Sequence, residues 1–491
     1  MNLEESTGCR EYQELSRRKF LTYTGAGVAA LGVPAWLPSV VLADDYCSTR
    51  DVIVSIFLRG AADGLSLCVP HGEPAYYSAR STIAVPPPGG GANAATDLDG
   101  FFGLAPAMAP LTTAYSAGHL LIVHATGSTN ESRSHFDAQR FMEIGKPGDN
   151  TLFTGWLGRH LVSAPPRQPG AVLRAVGIGY GLQRTLQGSP NSLPIPVLDA
   201  FGLTGSAATL DARMMALDDM YAAEADPLRA AAQTTQATID LLNTIDFAGY
   251  QPAPGAVYGS DTFSISMKST AALIKADVGV EAVHIDVGGW DTHNNQGTTG
   301  GTMANLMASL ASNLAAFHLD MFAGNGRNVV VVVHSEFGRR LAQNGSGGSD
   351  HGHGNAILVL GNGIDGGRVL TQWPGLAADQ LFEGRDLQVT IDFRDILAEI
   401  VANRLGNTNL SYVFPDYVPT FRGVTTDCAP GDVNCDGLAD HADAAALAQA
   451  LTDPAAHAAA HPTCNPNAAD INRDGLTDAR DIQEFVNAAL P

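Results

Sequence analysis

Short apolar runs separated by amphipathic stretches dominate the chain between residues 50 and 425. Each run has the length of a buried strand, and helical patterns lie between the runs, notably over residues 208–247 and 301–322. Strands that alternate with helices predict an α/β domain with a mostly parallel central sheet flanked by helices. The clearest apolar runs cover residues 52–58, 120–124, 280–287 and 329–333.

Polar stretches follow all of these runs. Asp63 lies in a Gly-rich turn after the first run, and a polar loop over residues 128–135 follows the second. The third leads into Gly-Trp-Asp-Thr-His and the fourth into His-Ser-Glu-Phe-Gly. A further polar stretch, residues 347–354, precedes the apolar run 356–360, so we expect it to reach the others from a loop. Because parallel sheets bind ligands beyond the carboxyl ends of their strands, the sequence predicts one site at this edge.

The side chains expected at this edge are carboxylates and imidazoles, a mixture that suits zinc, manganese or a similar divalent ion. Several have plainer explanations. Asp63 could cap a helix, and Asp291 with His293 could form a surface turn. Glu336 could form a structural ion pair with Arg339. The predicted metal ligands are Asp63, Asp291, His293, Glu336, Asp350, His351 and His353.

The loop after the second strand also supplies a candidate catalytic nucleophile. Ser134 stands next to His135, and a nearby metal ion could lower the pKa of its hydroxyl group. The alternative is that the hydroxyls of this loop only cap the helix predicted to begin at about Phe136. A formylglycine sulfatase is disfavoured, because the stretch beginning at Cys68 has Gly72 where that motif has arginine.

The last sixty or so residues contain Asp at regular intervals, in two loops of matching pattern. Oxygen ligands at the first, third, fifth, seventh, ninth and twelfth places, with glycine at the sixth, suit calcium. Each loop runs into an amphipathic helix, and this duplicated loop-helix unit resembles dockerin type I repeats. The resemblance implies a calcium-binding module over residues 426–491 and a cohesin-like or cell-surface partner. The predicted calcium ligands are Asp432, Asn434, Asp436, Leu438, Asp440, Asp443, Asp470, Asn472, Asp474, Leu476, Asp478 and Asp481.

The net charge indicates which partners are excluded, and the N-terminal sequence indicates the location of the protein. The 28 basic and 50 acidic side chains give a formal net charge of −22, which argues against nucleic acid as a partner. Arg17 and Arg18 precede a weakly apolar stretch that ends in Val-Leu-Ala, and residues 1–43 resemble a Tat export signal cut after Ala43. A membrane anchor is the alternative. We expect export to the periplasm, cell surface or medium, with no stable membrane span after signal cleavage.

Cysteine usage fits an oxidising compartment. Removal of the predicted signal leaves five cysteines, so at least one thiol has no partner within the chain. Cys435 and Cys464 flank the calcium loops, and they are the predicted disulfide pair, because a bridge there would stabilise a module with a small core.

The main domain, residues 44–425, contains a series of motifs, which are LRGAADGLSLCVPHGEPAYY, SRSHFDAQRFMEIG, GGWDTHNNQ, HSEFGRR, GGSDHGHGNAILVLG and DFRDILAEI. In this order they resemble the domain-of-unknown-function 1501 family over roughly residues 51–422. This resemblance implies an alkaline phosphatase-like α/β sandwich centred on metal. It implies that Asp63 is the ligand of the first strand, that Asp291 and His293 are an acid-histidine pair, and that His351 or His353 is a late ligand. The sequence departs from the superfamily where an Asp-His pair is expected, because it has Ser-Glu there.

Two functions follow from these features. The first is an exported metal-dependent hydrolase of phosphate or sulfate esters, acting on a substrate such as extracellular polysaccharide and attached through its calcium-binding tail. The second is a non-catalytic surface or polysaccharide-associated assembly protein with the same fold. Metal content distinguishes the two, because only the first requires a stoichiometric transition metal in the main domain.

Overall fold

A computed structural model describes residues 50–322, 328–426, 431–434, 439–461, 466–469, 471 and 477–489. The predicted signal, residues 1–43, lies outside these ranges, as do Cys435 and Cys464. Cys68 is described and is a buried free thiol. Six of the predicted calcium ligands also lie outside the described residues: Asp436, Leu438, Asp470, Asn472, Asp474 and Leu476.

The predicted strands are present, and two of them extend further toward their carboxyl ends than the apolar pattern does. The first matches its apolar run, and all seven of its residues are buried. The strands are β1 (Val52–Leu58), β2 (Cys68–Val69), β3 (Thr96–Asp97), β4 (Gly103–Leu104), β5 (Leu120–Gly127), β6 (Ala175–Ile178), β7 (Ser192–Pro194), β8 (Ala282–Val287), β9 (Val329–Ser335), β10 (Arg339–Gln343), β11 (Ser349–His351), β12 (Asn355–Gly361), β13 (Arg368–Leu370) and β14 (Ile391–Asp392).

Most strands of the central sheet run parallel, which confirms the predicted α/β class. The order is β13-β5-β12-β9-β1-β8-β6-β7, with β14 paired to β5. The first strand, β1, lies in the interior of the sheet and is parallel to both β8 and β9. In contrast, β12 is antiparallel to both of its neighbours, β5 and β9. The amino end of β12 therefore lies at the same edge as the carboxyl ends of β5 and β9.

Helices flank this sheet, and one of its faces packs on the helices Trp156–Ser163 and Phe393–Asn403. Ile53 and Phe57 of β1 share a buried cluster with Trp156 and Leu157 of one helix and Phe393 of the other. Such burial is the main stabilising contribution to a domain of this kind. The helices are α1 (Gly64–Leu67), α2 (Pro74–Ala79), α3 (Thr112–Ser116), α4 (His135–Ile144), α5 (Trp156–Ser163), α6 (Leu210–Ala222), α7 (Leu228–Asn243), α8 (Thr262–Lys275), α9 (Thr302–Phe322), α10 (Phe393–Asn403), α11 (Leu410–Val413), α12 (Ala444–Thr452), α13 (Pro454–Ala460) and α14 (Asp481–Ala489).

Two parts of the chain contribute no residue to this buried cluster. Helices α6 and α7 belong to a separate unit that includes residues 201–244. The C-terminal tail has a small core of its own, in which Val433, Leu447 and Phe485 are buried together. Across the described part of the chain, none of the helices combines the length and apolar character that crossing a membrane requires.

Candidate metal centre

Side chains from distant parts of the chain meet at the edge where β8 and β9 end. His135 is the first residue of α4, which follows β5 after a polar loop. Asp291 and His293 lie in the loop after β8, and His351 ends β11. Parallel strands bring their carboxyl ends to one edge of a sheet, and the loops that follow them therefore meet there.

The stretch 347–354 reaches this edge in a way that differs from the prediction. It was expected to form a loop, but part of it is β11, which pairs with β10 in a short antiparallel sheet. The chain then enters β12 from the same edge, because β12 runs against its neighbours. A motif that precedes a strand therefore joins motifs that follow strands.

Four side chains converge here. The ligand atoms of His135, Asp291 and His351 all lie within 4.8 Å of one another. Asp291 Oδ1 is 3.1 Å from His293 Nε2 and 3.3 Å from His351 Nε2, while its Oδ2 is 3.6 Å from His135 Nε2. The Nε2 atoms of His293 and His351 are 2.9 Å apart. Two ligands bonded at about 2 Å to one tetrahedral ion lie roughly 3.3 Å apart, so these spacings suit a shared ion.

The other ring nitrogen of each histidine is held by an oxygen acceptor. Nδ1 of His135 donates to Glu336 Oε1 at 2.8 Å, and Nδ1 of His293 donates to Asp350 Oδ1 at 3.2 Å. Nδ1 of His351 donates to the carbonyl of Arg133 at 3.0 Å. A neutral imidazole whose Nδ1 carries the proton presents a lone pair at Nε2. All three rings are thus oriented as metal-binding histidines commonly are.

His135 gives a further indication that the group accommodates a ligand. Its Nε2 atom is buried and has no hydrogen-bond partner among the residues that the structure describes. The hydrogen bond to Glu336 raises the pKa of His135, whereas burial lowers the pKa of His351. Three imidazoles and one carboxylate form a donor set that fits zinc or manganese.

The carboxylate of Asp291 is fixed by a buried guanidinium. Arg339 Nη2 contacts Asp291 Oδ1 at 2.6 Å, and its remaining donors bond to backbone carbonyls, including those of Ala61 and Ser349. Burial alone would raise the pKa of Asp291, but the hydrogen bond and charge of Arg339 outweigh it, and the pKa lies below its usual value. Asp291 is therefore held as an anion.

Glu336 and Asp350 lie beside the converging atoms as acceptors for the histidines. Glu336 is buried, which would raise its pKa, but hydrogen bonds led by that from His135 lower it below the usual value. The alternative pairing of Glu336 with Arg339 is not seen, since Arg339 contacts Asp291 instead. Asp350 is more exposed, and the amide of Asn344 donates to it at 3.0 Å. Both residues are placed to orient imidazoles.

Asp63 and His353 have different surroundings. Asp63 is fully buried, and both of its oxygens bond to Arg80, at 2.6 and 3.0 Å, while Gln296 donates to it at 2.7 Å. Its carboxylate accepts no capping hydrogen bond from the backbone of the helix that follows it. His353 stacks on Phe382 with ring centroids 4.4 Å apart, and burial lowers its pKa to about 4. We assign neither residue to the converging group.

Ser134 is exposed and directly precedes His135 at the start of α4. Its side chain makes no capping hydrogen bond to the helix, so the capping alternative is not what the structure has. Ser134 thus directly precedes one member of the converging group in the chain and has no helix-capping role.

Sequence reasoning did not select His135 as a ligand. It treated this histidine only as a neighbour of the candidate nucleophile. Its position in the chain could have identified it as a ligand, because a histidine between a buried strand and a helix lies at the same edge of the sheet as Asp291 and His293.

Comparisons with known proteins identify two parts of the chain. Residues 430–488 match the Dockerin type I domain. No curated protein matches the chain. Among solved structures, the chain is similar to a protein in the alkaline phosphatase superfamily from Vibrio parahaemolyticus, with 10% sequence identity and a TM-score of 0.29. That similarity covers 71% of this chain and 70% of the other. Residues 50–411, which include the whole converging group, match the Protein of unknown function (DUF1501) family, and the chain therefore belongs to that family.

Proposed function

We propose that this protein is an exported metal-dependent hydrolase of phosphate or sulfate esters, with polysaccharide esters outside the cell as one class of substrate. The observation that carries the proposal is the convergence of three Nε2 atoms on the Asp291 carboxylate, each ring being held through its Nδ1. The proposed ligands are His135, Asp291, His293 and His351. The Nε2 atoms of His293 and His351, 2.9 Å apart, are as close as two ligands of one ion would be.

The chemistry would depend on few groups. His135, Asp291, His293 and His351 would hold a divalent ion, which would supply a Lewis acid and lower the pKa of an attacking hydroxyl or water. Ser134 is the proposed nucleophile, since it is exposed, directly precedes His135 in the chain and does not cap the helix. Glu336 and Asp350 accept from Nδ1 of His135 and His293 and so favour the tautomer that presents Nε2 to a metal ion.

Metal removal tests the proposal directly. Purified protein should contain about one transition-metal ion per chain, measured by elemental analysis. It should hydrolyse at least one member of a panel of aryl and sugar phosphate and sulfate esters. A chelator should abolish hydrolysis and added zinc or manganese should restore it. Protein with no stoichiometric metal would contradict the proposal and favour the non-catalytic surface protein.

We further propose that the dockerin-like tail binds calcium and attaches the protein to a cohesin-like or cell-surface partner outside the cytoplasm. The final aspartates of the two loops have matching surroundings. Asp443 accepts hydrogen bonds from Val433 N at 2.7 Å and Asp440 N at 3.0 Å. Asp481 accepts them from Ile471 N and Asp478 N, both at 2.8 Å. Matched loops of this kind support one ion each.

Full-length protein should bind about two calcium ions in equilibrium dialysis. Asp443→Asn and Asp481→Asn should each remove one ion, because each deletes a charge from one loop. Asp453→Asn is the matched control, since Asp453 caps α13 outside both loops and accepts from Ala456 N. Two ions retained in the double variant would contradict the calcium assignment.

A further inference from the structure

Helix α4 carries a row of polar side chains that continues beyond His135. His135, Gln139 and Glu143 are spaced by four residues, so they lie along one face of the helix. Gln139 Nε2 donates to Glu336 Oε1 at 3.0 Å, the same oxygen that accepts from His135 Nδ1 at 2.8 Å. Glu143 pairs with Arg59 at 2.8 Å. This row attaches the helix to the strand ends of the sheet.

Arg59, directly after β1, fixes the orientation of the Gln139 amide. Its Nε pairs with Asp286 at 2.7 Å and its Nη2 with Glu143, so the guanidinium is held from two sides. Its Nη1 donates to Gln139 Oε1 at 3.4 Å. Because the amide oxygen faces a donor, the amide nitrogen must face Glu336. A glutamine, with one acceptor and one donor at the end of the side chain, meets both requirements.

The donors around Glu336 come from two sources. Gly60 N donates to Oε1 at 2.8 Å and Ser335 Oγ to Oε2 at 2.9 Å, and both belong to the sheet and its following turn. Gln139 instead belongs to the helix that carries His135. It therefore ties the position of this carboxylate to the position of the imidazole that it orients.

We propose that Gln139 is a positioning residue of the metal centre, which acts by holding Glu336 where it accepts the Nδ1 proton of His135 and so directs His135 Nε2 toward Asp291. The inference rests on the proposed metal centre. Arg59 supports it by fixing the amide. Gln139 itself is not one of the proposed ligands.

Cobalt(II) binding tests this role, since the visible absorption of bound Co²⁺ reports the ligand geometry. Gln139→Glu places a second carboxylate 3.0 Å from Glu336, and repulsion displaces the acceptor of His135. We expect its Co²⁺ affinity to fall by roughly 10–100-fold, with a changed spectrum. Gln139→Met removes the donor without adding charge and should give a smaller loss. Asp137→Asn, an exposed change on the same helix, should match wild type.

The possible outcomes distinguish failure of the positioning role of Gln139 from failure of the proposed metal centre. Wild-type protein that takes up no Co²⁺ would overturn the metal centre, and the role of Gln139 with it. Wild-type protein that binds Co²⁺, together with Gln139→Glu protein of the same affinity and spectrum, would overturn only the positioning role. Loss of thermal stability in Gln139→Glu with unchanged affinity and spectrum would also overturn it, because a structural residue behaves in that way.

Discussion

Asp291→Asn should release the transition metal and abolish ester hydrolysis together. Asp291 supplies the carboxylate on which three imidazole Nε2 atoms converge, at 3.1 to 3.6 Å. Asparagine keeps the shape and an oxygen acceptor for Arg339, but it removes the negative charge that offsets a divalent cation. The loss of metal affinity should exceed the roughly 10–100-fold that follows changes to partners of ligands. Elemental analysis after dialysis and turnover of the best ester substrate measure the two effects.

Ser134→Ala is the informative comparison. If Ser134 is the nucleophile, this variant should retain the metal and lose turnover, because Ser134 precedes a proposed ligand in the chain without being one itself. The metal affinity of Asp350→Asn should lie between those of Asp291→Asn and Ser134→Ala, since Asp350 contacts His293 only through Nδ1. An Asp291→Asn protein with full metal content would show that the ion is bound elsewhere.

Asp63→Asn should destabilise the sheet domain by about 3–5 kcal/mol, the range found when one partner of a buried ion pair is removed. Asp63 and Arg80 have fully buried side chains and contact each other at 2.6 Å. The substitution leaves the guanidinium buried without its counter-charge. The midpoint of thermal or urea unfolding measures the loss. Asp416→Asn is the matched control, because Asp416 pairs with Lys146 at 2.7 Å on the surface, and exposed pairs contribute about 0–1 kcal/mol.

The effect of Asp63→Asn should depend on pH in a defined direction. Burial alone would raise the pKa of Asp63, but Arg80 and the hydrogen-bond donors lower it below its usual value. The carboxylate therefore stabilises the fold fully above its unfolded-state pKa of about 3.9, and this contribution is lost as the pH falls through the lower folded-state pKa. The difference between wild type and variant should shrink only in strong acid. An equal difference at all pH values would contradict the ion-pair explanation.

The strands were predictable because their residues are buried on both faces. Strand β9, Val329–Ser335, begins with five consecutive valines, and all seven of its residues are buried. The direction of β12 was not predictable, because an apolar run has the same pattern in a parallel or an antiparallel strand. That direction explains how residues 347–354 reach the site.

The site was predictable in part for a related reason. Asp291, His293 and His351 stand out as polar residues near strand ends. His135 depends on Glu336, which is 201 positions away, and sequence spacing does not reveal such a partner. Likewise, nothing in the turn around Asp63 indicates that Arg80 takes up both of its oxygens. Local position suggests which residues reach an edge, whereas the partner of each depends on the tertiary fold.

The interior position of β1 has a consequence for the timing of folding. Ser55 of this strand pairs with His284 of β8, 229 residues later in the chain. During synthesis, β1 must wait for β8 and β9 before either of its edges can pair, and contacts of such long sequence separation slow folding. Residues 135, 291, 293 and 351 cannot be brought together before the ribosome has passed the last of them. Metal uptake at the proposed centre would therefore follow the synthesis of nearly all of the sheet domain.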